Sequence, residues 1–149
     1  FSFDGTENAE PQPQILDALQ SDPESIIIAP SNPYVSVDPI LQLKGMKMAL
    51  KNAGAPIVAV SPIIGGKAIK GPAAKMMQEL GKDVSVLSIA AHYQDLIDGL
   101  VIDVKDAELA PQIREMGIKT LVTQSVMTDL NSRIELAQAT LDFARECGS

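Results

Sequence analysis

Apolar residues fall into two alternating patterns along the chain. Short β-branched and aliphatic runs at 25–29, 57–61, 100–103 and 119–123 read as strands, the first two as strands buried on both faces. Between the runs, apolar residues recur at helical spacing. Ile15, Leu16 and Leu19 predict a short helix within 11–20, with prolines at its start. Ile40, Leu41, Leu43, Met46, Met48 and Leu50 predict a turn and then a helix over 39–52, broken at Gly45 and closed by Gly54. A further helix spans 73–80 with Gly81 as its stop. Asp83 is the expected cap of the next, which runs through Val86, Leu87, Ala90, Tyr93, Leu96 and Ile97. Asp106 is the expected cap of a helix that reaches Met116 and stops at Gly117. The last helix covers 131–145, with Ile134, Leu136, Ala137, Thr140, Leu141 and Ala144 facing inward. Residues 30–38 and the Gly- and Pro-rich stretch 62–72 read as loops.

Four strand-to-helix units in succession define an α/β fold: a doubly wound, mostly parallel, Rossmann-like sheet with helices on both faces. With 149 residues there is room for one core, so 1–149 reads as a single α/β domain or half-domain. No repeat of fixed period and no low-complexity tract divides it. Ligands of such sheets bind beyond the carboxyl ends of the strands, which brings the loops at 30–38, 61–71 and 123–129 forward as site candidates.

Twelve Lys and Arg against nineteen Asp and Glu give a net charge of −7, so no overall field draws the chain to nucleic acid or to anionic lipid. Three Phe, two Tyr and no Trp leave little for base stacking. Apolar runs are too short to cross a bilayer. The single cysteine, Cys147, fits a reducing, cytoplasmic setting and reads as a bystander. The opening Phe1-Ser2-Phe3 has neither an initiator Met nor a signal-peptide pattern, and the chain reads as part of a longer one.

The 61–71 loop joins Gly65 and Gly66 to Lys67 and Lys70 ahead of a helix. Backbone N–H groups and side-chain cations could therefore converge there on a phosphate. It is not a Walker loop, because Ser61 stands where the first glycine belongs and Ala68 follows Lys67; it also lacks the G-x-G-x-x-G spacing. The alternative is a plain glycine turn with solvated lysines. In the proline-stiffened 30–38 loop, Ser31, Asn32 and Ser36 could orient ligand oxygens, or could bond their own turn. His92 is the only histidine and has no partner at metal spacing, so packing is its simpler role. Asp95, Asp98, Asp103 and Asp106 read as caps and solvated surface, and the six methionines as core fillers.

Ala29-Pro-Ser-Asn-Pro33 with Ser36 and Pro39-Ile-Leu41 is the first of several telling segments. Val60-Ser-Pro-Ile-Ile-Gly-Gly-Lys-Ala-Ile-Lys-Gly-Pro-Ala73 follows, and then His92-Tyr93 with Gly99-Leu-Val-Ile-Asp103. Together these segments resemble the carboxyl-terminal half of the 2-phospho-L-lactate transferase family, which builds the deazaflavin coenzyme F420. The resemblance covers residues 5–139. It implies a magnesium-dependent, homodimeric cytoplasmic enzyme. Such an enzyme transfers a phospholactyl group from lactyl-2-diphospho-5'-guanosine to the deazaflavin Fo, giving F420-0 and GMP, and some relatives use an enolpyruvyl donor. In this frame Ser31, Asn32 and Ser36 would orient donor oxygens, Gly65 and Gly66 would allow close backbone approach, and Lys67 and Lys70 would counter diphosphate charge. Acceptor and metal residues are expected in an amino-terminal half that these residues do not include, so the chain alone is expected to be inactive. Two departures stand out: Thr123-Gln-Ser125 replaces the usual Thr-Asp-Thr, and Tyr34 and Asp38 flank Ser36. The alternative is a non-catalytic nucleotide-sugar-binding regulator of the same superfamily.

Overall fold

The computed structural model describes residues 3–6, 8–68 and 71–148. Four parallel strands, β1 (Ile26–Ile28), β2 (Ile57–Val60), β5 (Gly99–Asp103) and β6 (Lys119–Thr123), form one sheet in the order β1-β2-β5-β6. Pairings such as Ile27 with Val58, Ala59 with Leu100 and Leu100 with Thr120 set its register. Because all four run the same way, their carboxyl ends share one edge of the molecule, and the loops that follow them meet there.

Strand order follows chain order without reversal, and right-handed crossovers then return on the same side of the sheet. The helices obey this. One face, built from Ile57, Ala59, Leu100 and Ile102, packs against α2 (Asp38–Leu41), α4 (Ala73–Glu79), α5 (Val86–Tyr93) and α6 (Ala110–Glu115), the last two through Ile89 and Ile113. The opposite face, Val58, Val60 and Val101, packs against Leu136, Phe143 and Ala144 of the long terminal helix α7 (Leu130–Cys147). The expected mostly parallel, Rossmann-like sheet with helices on both faces is present, and α7 alone covers the second face.

Two further helices complete the set, α1 (Pro13–Gln20) and α3 (Met46–Asn52), the latter entered through Gly45 at φ 79°. At Gly99 α7 approaches the sheet so closely that an added Cβ would lie 2.7 Å from the Phe143 ring and 2.9 Å from Cys147 Sγ.

Several local expectations are corrected. The 62–72 stretch is not an open loop: β3 (Ile63–Ile64) and β4 (Lys67–Ala68) form an antiparallel hairpin. Gly65 and Gly66 form its two-residue turn at φ 55° and 71°, the geometry that glycine pairs supply without side-chain strain. The 30–38 loop contains a π-helical turn over Pro33–Val37. Ser85, not Asp83, caps α5 by accepting from Leu87 N–H, because the chain is still extended at Ser85. Asp106 caps no helix; it lies inside the 3-10 turn Val104–Leu109, whose N-cap is Asp103. β1 is an edge strand and only half-buried, with Ile27 left exposed. Ile134, Ala137 and Leu141 of α7 are exposed as well, since only the Leu136, Thr140, Phe143 and Ala144 stripe meets the sheet. Met46, Met76 and Met77 are core residues, but Met48 and Met127 are exposed. No helix among the described residues is long and apolar enough to cross a membrane.

Candidate functional site

At the carboxyl end of the sheet, three loops enclose a cavity of about 280 Å³. The first loop contributes Ser31 and Asn32, the second Ser61, Pro62 and Ile64, and the third Ser125, Val126 and Met127. Ala73 at the start of α4 and Arg133 in the first turns of α7 complete the wall. The three candidate loops therefore converge as their strand order requires.

The first two walls are fixed largely by bonds within their own loops, and the third by a bond to the end of β5. Asn32 Oδ1 accepts from Tyr34 N–H at 3.0 Å, and its carbonyl accepts from Ser36 and Val37 N–H, so Asn32 caps the π-helical turn. Its amide nitrogen lies 3.2 Å from Met76 Sδ, tying the loop to α4. Ser31 Oγ makes no hydrogen bond among the described residues. Buried Ser61 donates to Ile63 carbonyl and accepts from Ile63 N–H at 3.0 and 3.1 Å, which turns the chain from β2 into the hairpin.

The third wall hangs on Asp103, the fully buried last residue of β5. Its Oδ2 accepts from Ser125 N–H at 2.8 Å and from Ser125 Oγ at 3.1 Å, and its Oδ1 accepts from Lys105 N–H at 3.1 Å. Three donors on one carboxylate satisfy a buried acid without a cation. Beyond it, α7 begins in a reciprocal capping box between Asp129 and Ser132. Those backbone and hydroxyl donors hold the Asp129 carboxyl below the usual carboxylate range.

The other candidates lie apart from this cavity. Ser36 is exposed on the π-helical turn, and Gly65, Gly66 and Lys67 form the exposed tip of the hairpin. Gly65 N–H is already donated to Asp106 Oδ2 at 2.9 Å, across 41 residues of sequence. Lys70 lies outside the described residues. His92 Nε2 sits 2.8 Å from Asp38 Oδ1, edge-on to Tyr34 and Tyr93, and lines a separate cavity between α2, α3 and α5. Burial, and secondarily the Asp38 charge, push the Tyr93 hydroxyl well above its ordinary range. Asp98 accepts from Ile57 N–H at 2.7 Å, at the other end of the sheet.

Sequence reading placed Ser125 and Met127 in the 123–129 candidate loop without singling them out as site residues, and it missed Arg133. The available signal was the pairing of Asp129 with Ser132 soon after β6: a capping box there starts the helix earlier and brings Arg133 to the strand ends. No group of three or more His, Cys, Asp or Glu side chains able to hold a metal occurs among the described residues. The cavity wall carries no carboxylate, and Asp103 and Asp106 are occupied by N–H donors. The described residues thus do not fit a magnesium site by themselves.

A parallel sheet with helices on both faces and a loop-lined cavity at its carboxyl edge defines a Rossmann-like α/β protein. The chain belongs to the family described as 2-phospho-L-lactate transferase CofD, whose family model matches residues 2–140. It is 40% identical over 141 residues to a 2-phospho-L-lactate transferase of Methanocaldococcus jannaschii, covering 95% of this chain and 42% of the relative. It is 38% identical over 134 residues to the Methanosarcina barkeri protein of the same name, covering 90% and 42%. Against a phosphoenolpyruvate transferase of Streptomyces coelicolor it is 34% identical over 143 residues, covering 95% and 44%. The chain spans less than half the length of these relatives.

Proposed function

We propose that this chain forms the donor side of a transferase of coenzyme F420 biosynthesis. The reaction moves a 2-phospholactyl group from lactyl-2-diphospho-5'-guanosine to the side-chain hydroxyl of Fo. The hydroxyl oxygen bonds to the phosphorus that carries lactate, the bond from that phosphorus to the bridging oxygen breaks, GMP leaves with the bridging oxygen, and the hydroxyl proton is released. Such a step asks little covalent chemistry of the protein and depends on placing the diphosphate and stabilising its charge.

The observation that carries the reading is the convergence of Ser31, Asn32 and Ser125 on one cavity at the strand ends, in a chain of this family. There Ser31 Oγ donates to a phosphate oxygen, and Asn32 and the Asp103-held Ser125 fix the walls on either side. The hairpin tip with Lys67 is the outer rim. Lactyl is preferred to enolpyruvyl as the donor group because identity is higher to the relatives named for phospholactate. We assign the acceptor, the magnesium ion and the homodimer contacts to the additional sequence that relatives of this family carry.

Calorimetric titration of the purified chain tests the reading. Saturable binding of GDP, weakened by Ser31→Ala and absent for UDP-N-acetylglucosamine, is expected. A preference for the uridine sugar would overturn it in favour of a regulatory nucleotide-sugar binder.

A further inference from the structure

The chain carries a formal net charge of −7, and its overall field opposes the entry of an anion. Among the described residues, Arg133 is the only charged residue in the wall of the cavity at the strand ends. Nearby acids are committed to other partners. Asp103 holds Ser125 and Lys105 N–H, and the Asp129 carboxylate accepts from Ser132 N–H at 2.8 Å. No ion pair engages Arg133 among the described residues. Arg133 is exposed, and the rest of the described lining is neutral: three serines, Ser31, Ser61 and Ser125, with Asn32 and apolar groups such as Pro62 and Ile64.

We propose that Arg133 is the anion-binding residue of this cavity, taking a phosphate or diphosphate group through its guanidinium fork, with Ser31 Oγ as the neutral co-donor. A planar guanidinium offers two parallel N–H donors to a pair of phosphate oxygens, which a lysine ammonium does not. The identity of that group as the donor diphosphate rests on the function proposed above; the anion site itself does not. Lys67 sits on the exposed hairpin tip, outside the wall, so in this assignment Lys67 contributes long-range attraction only.

The test is titration of the 149-residue chain with inorganic pyrophosphate and, separately, with GDP. It compares wild type, Arg133→Ala, Arg133→Lys and the exposed charge control Lys75→Ala, with circular dichroism confirming the fold of each. Arg133→Ala is expected to weaken pyrophosphate binding roughly tenfold or more, Arg133→Lys to restore part of it, and Lys75→Ala to change it less than about twofold. Pyrophosphate affinity that survives Arg133→Ala in a folded chain overturns the assignment and leaves the donor reading standing. Pyrophosphate binding that depends on Arg133 without any binding of GDP supports the assignment and removes the donor reading. Failure of folded wild type to bind either probe overturns both.

Discussion

Asp103 and Ser125 are joined by two hydrogen bonds to one carboxylate oxygen, at 2.8 Å from the backbone N–H and 3.1 Å from Oγ. This pair fixes the loop after β6 against the end of β5, and so sets the third wall of the cavity. Removing the carboxylate strands a buried backbone donor, which costs more than the net value of the bonds. Asp103→Ala is expected to lower unfolding free energy by about 2–4 kcal/mol, and Asp103→Asn by less, because its amide oxygen still accepts from one N–H. Urea denaturation checks this. Ser125→Ala removes one hydroxyl bond only, and a cost of about 1 kcal/mol is expected.

The hairpin turn makes a separate prediction. Gly66 sits at φ 71°, and an added Cβ would meet only Val84 carbonyl at 3.5 Å, an ordinary contact. Backbone strain alone therefore decides the outcome. Gly66→Ala is expected to cost about 1–2 kcal/mol, Gly66→Val more, and Gly66→Asn less, since asparagine tolerates this conformation. Thermal melts of the three variants should follow that order.

Fold class and the converging loops were legible in the sequence because both depend on periodicity: apolar runs set strands, parallel strands share an end, and their loops must meet. Details set by tertiary contact were not legible. A Gly-Gly pair serves an open loop or a hairpin equally well, and pairing of Ile64 with Lys67 decides between them. Asp106 has the look of a helix cap, but its carboxylate is taken by Gly65, 41 residues away. Ile134 and Leu141 obey helical spacing and still face outward, because only the stripe through Leu136, Phe143 and Ala144 packs on the sheet. The capping box between Asp129 and Ser132 places Arg133 near the strand ends, but no motif marks its side chain as part of a site. Arg133 became visible only when Ser31, Ser61 and Ser125 were found around the same space.

Gly99 tests the close contact between sheet and helix. Its neighbours, the Phe143 ring and Cys147 Sγ, would lie under 3.0 Å from a new Cβ, and both belong to α7. Gly99→Ala should push α7 from the sheet at a cost of about 1–3 kcal/mol. Phe143→Leu is expected to relieve part of that cost when combined with it, although Phe143→Leu alone destabilises the core. A double-mutant cycle in urea measures the coupling.

The capping box of α7 gives a pH dependence whose sign follows from its geometry. Backbone and hydroxyl donors from Ser132 favour the ionised Asp129, so its carboxyl titrates lower in the folded chain than in the unfolded one. Above the unfolded value of about 4 the cap contributes its full stabilisation. As pH falls toward the depressed folded value, the unfolded state takes up the proton first and the contribution is progressively lost. Asp129→Asn keeps a good capping oxygen but cannot titrate. It should therefore retain much of the stability near neutral pH and show a flatter urea midpoint between pH 5 and pH 3, by roughly the part of the slope that one carboxylate supplies. Asp129→Ala should be less stable near neutrality and equally flat. Unchanged acid dependence in both variants would place the acid-sensitive group elsewhere, and because the same cap sets where α7 begins, loss of Arg133-dependent anion binding in Asp129→Ala but not in Asp129→Asn would tie the cap to the cavity.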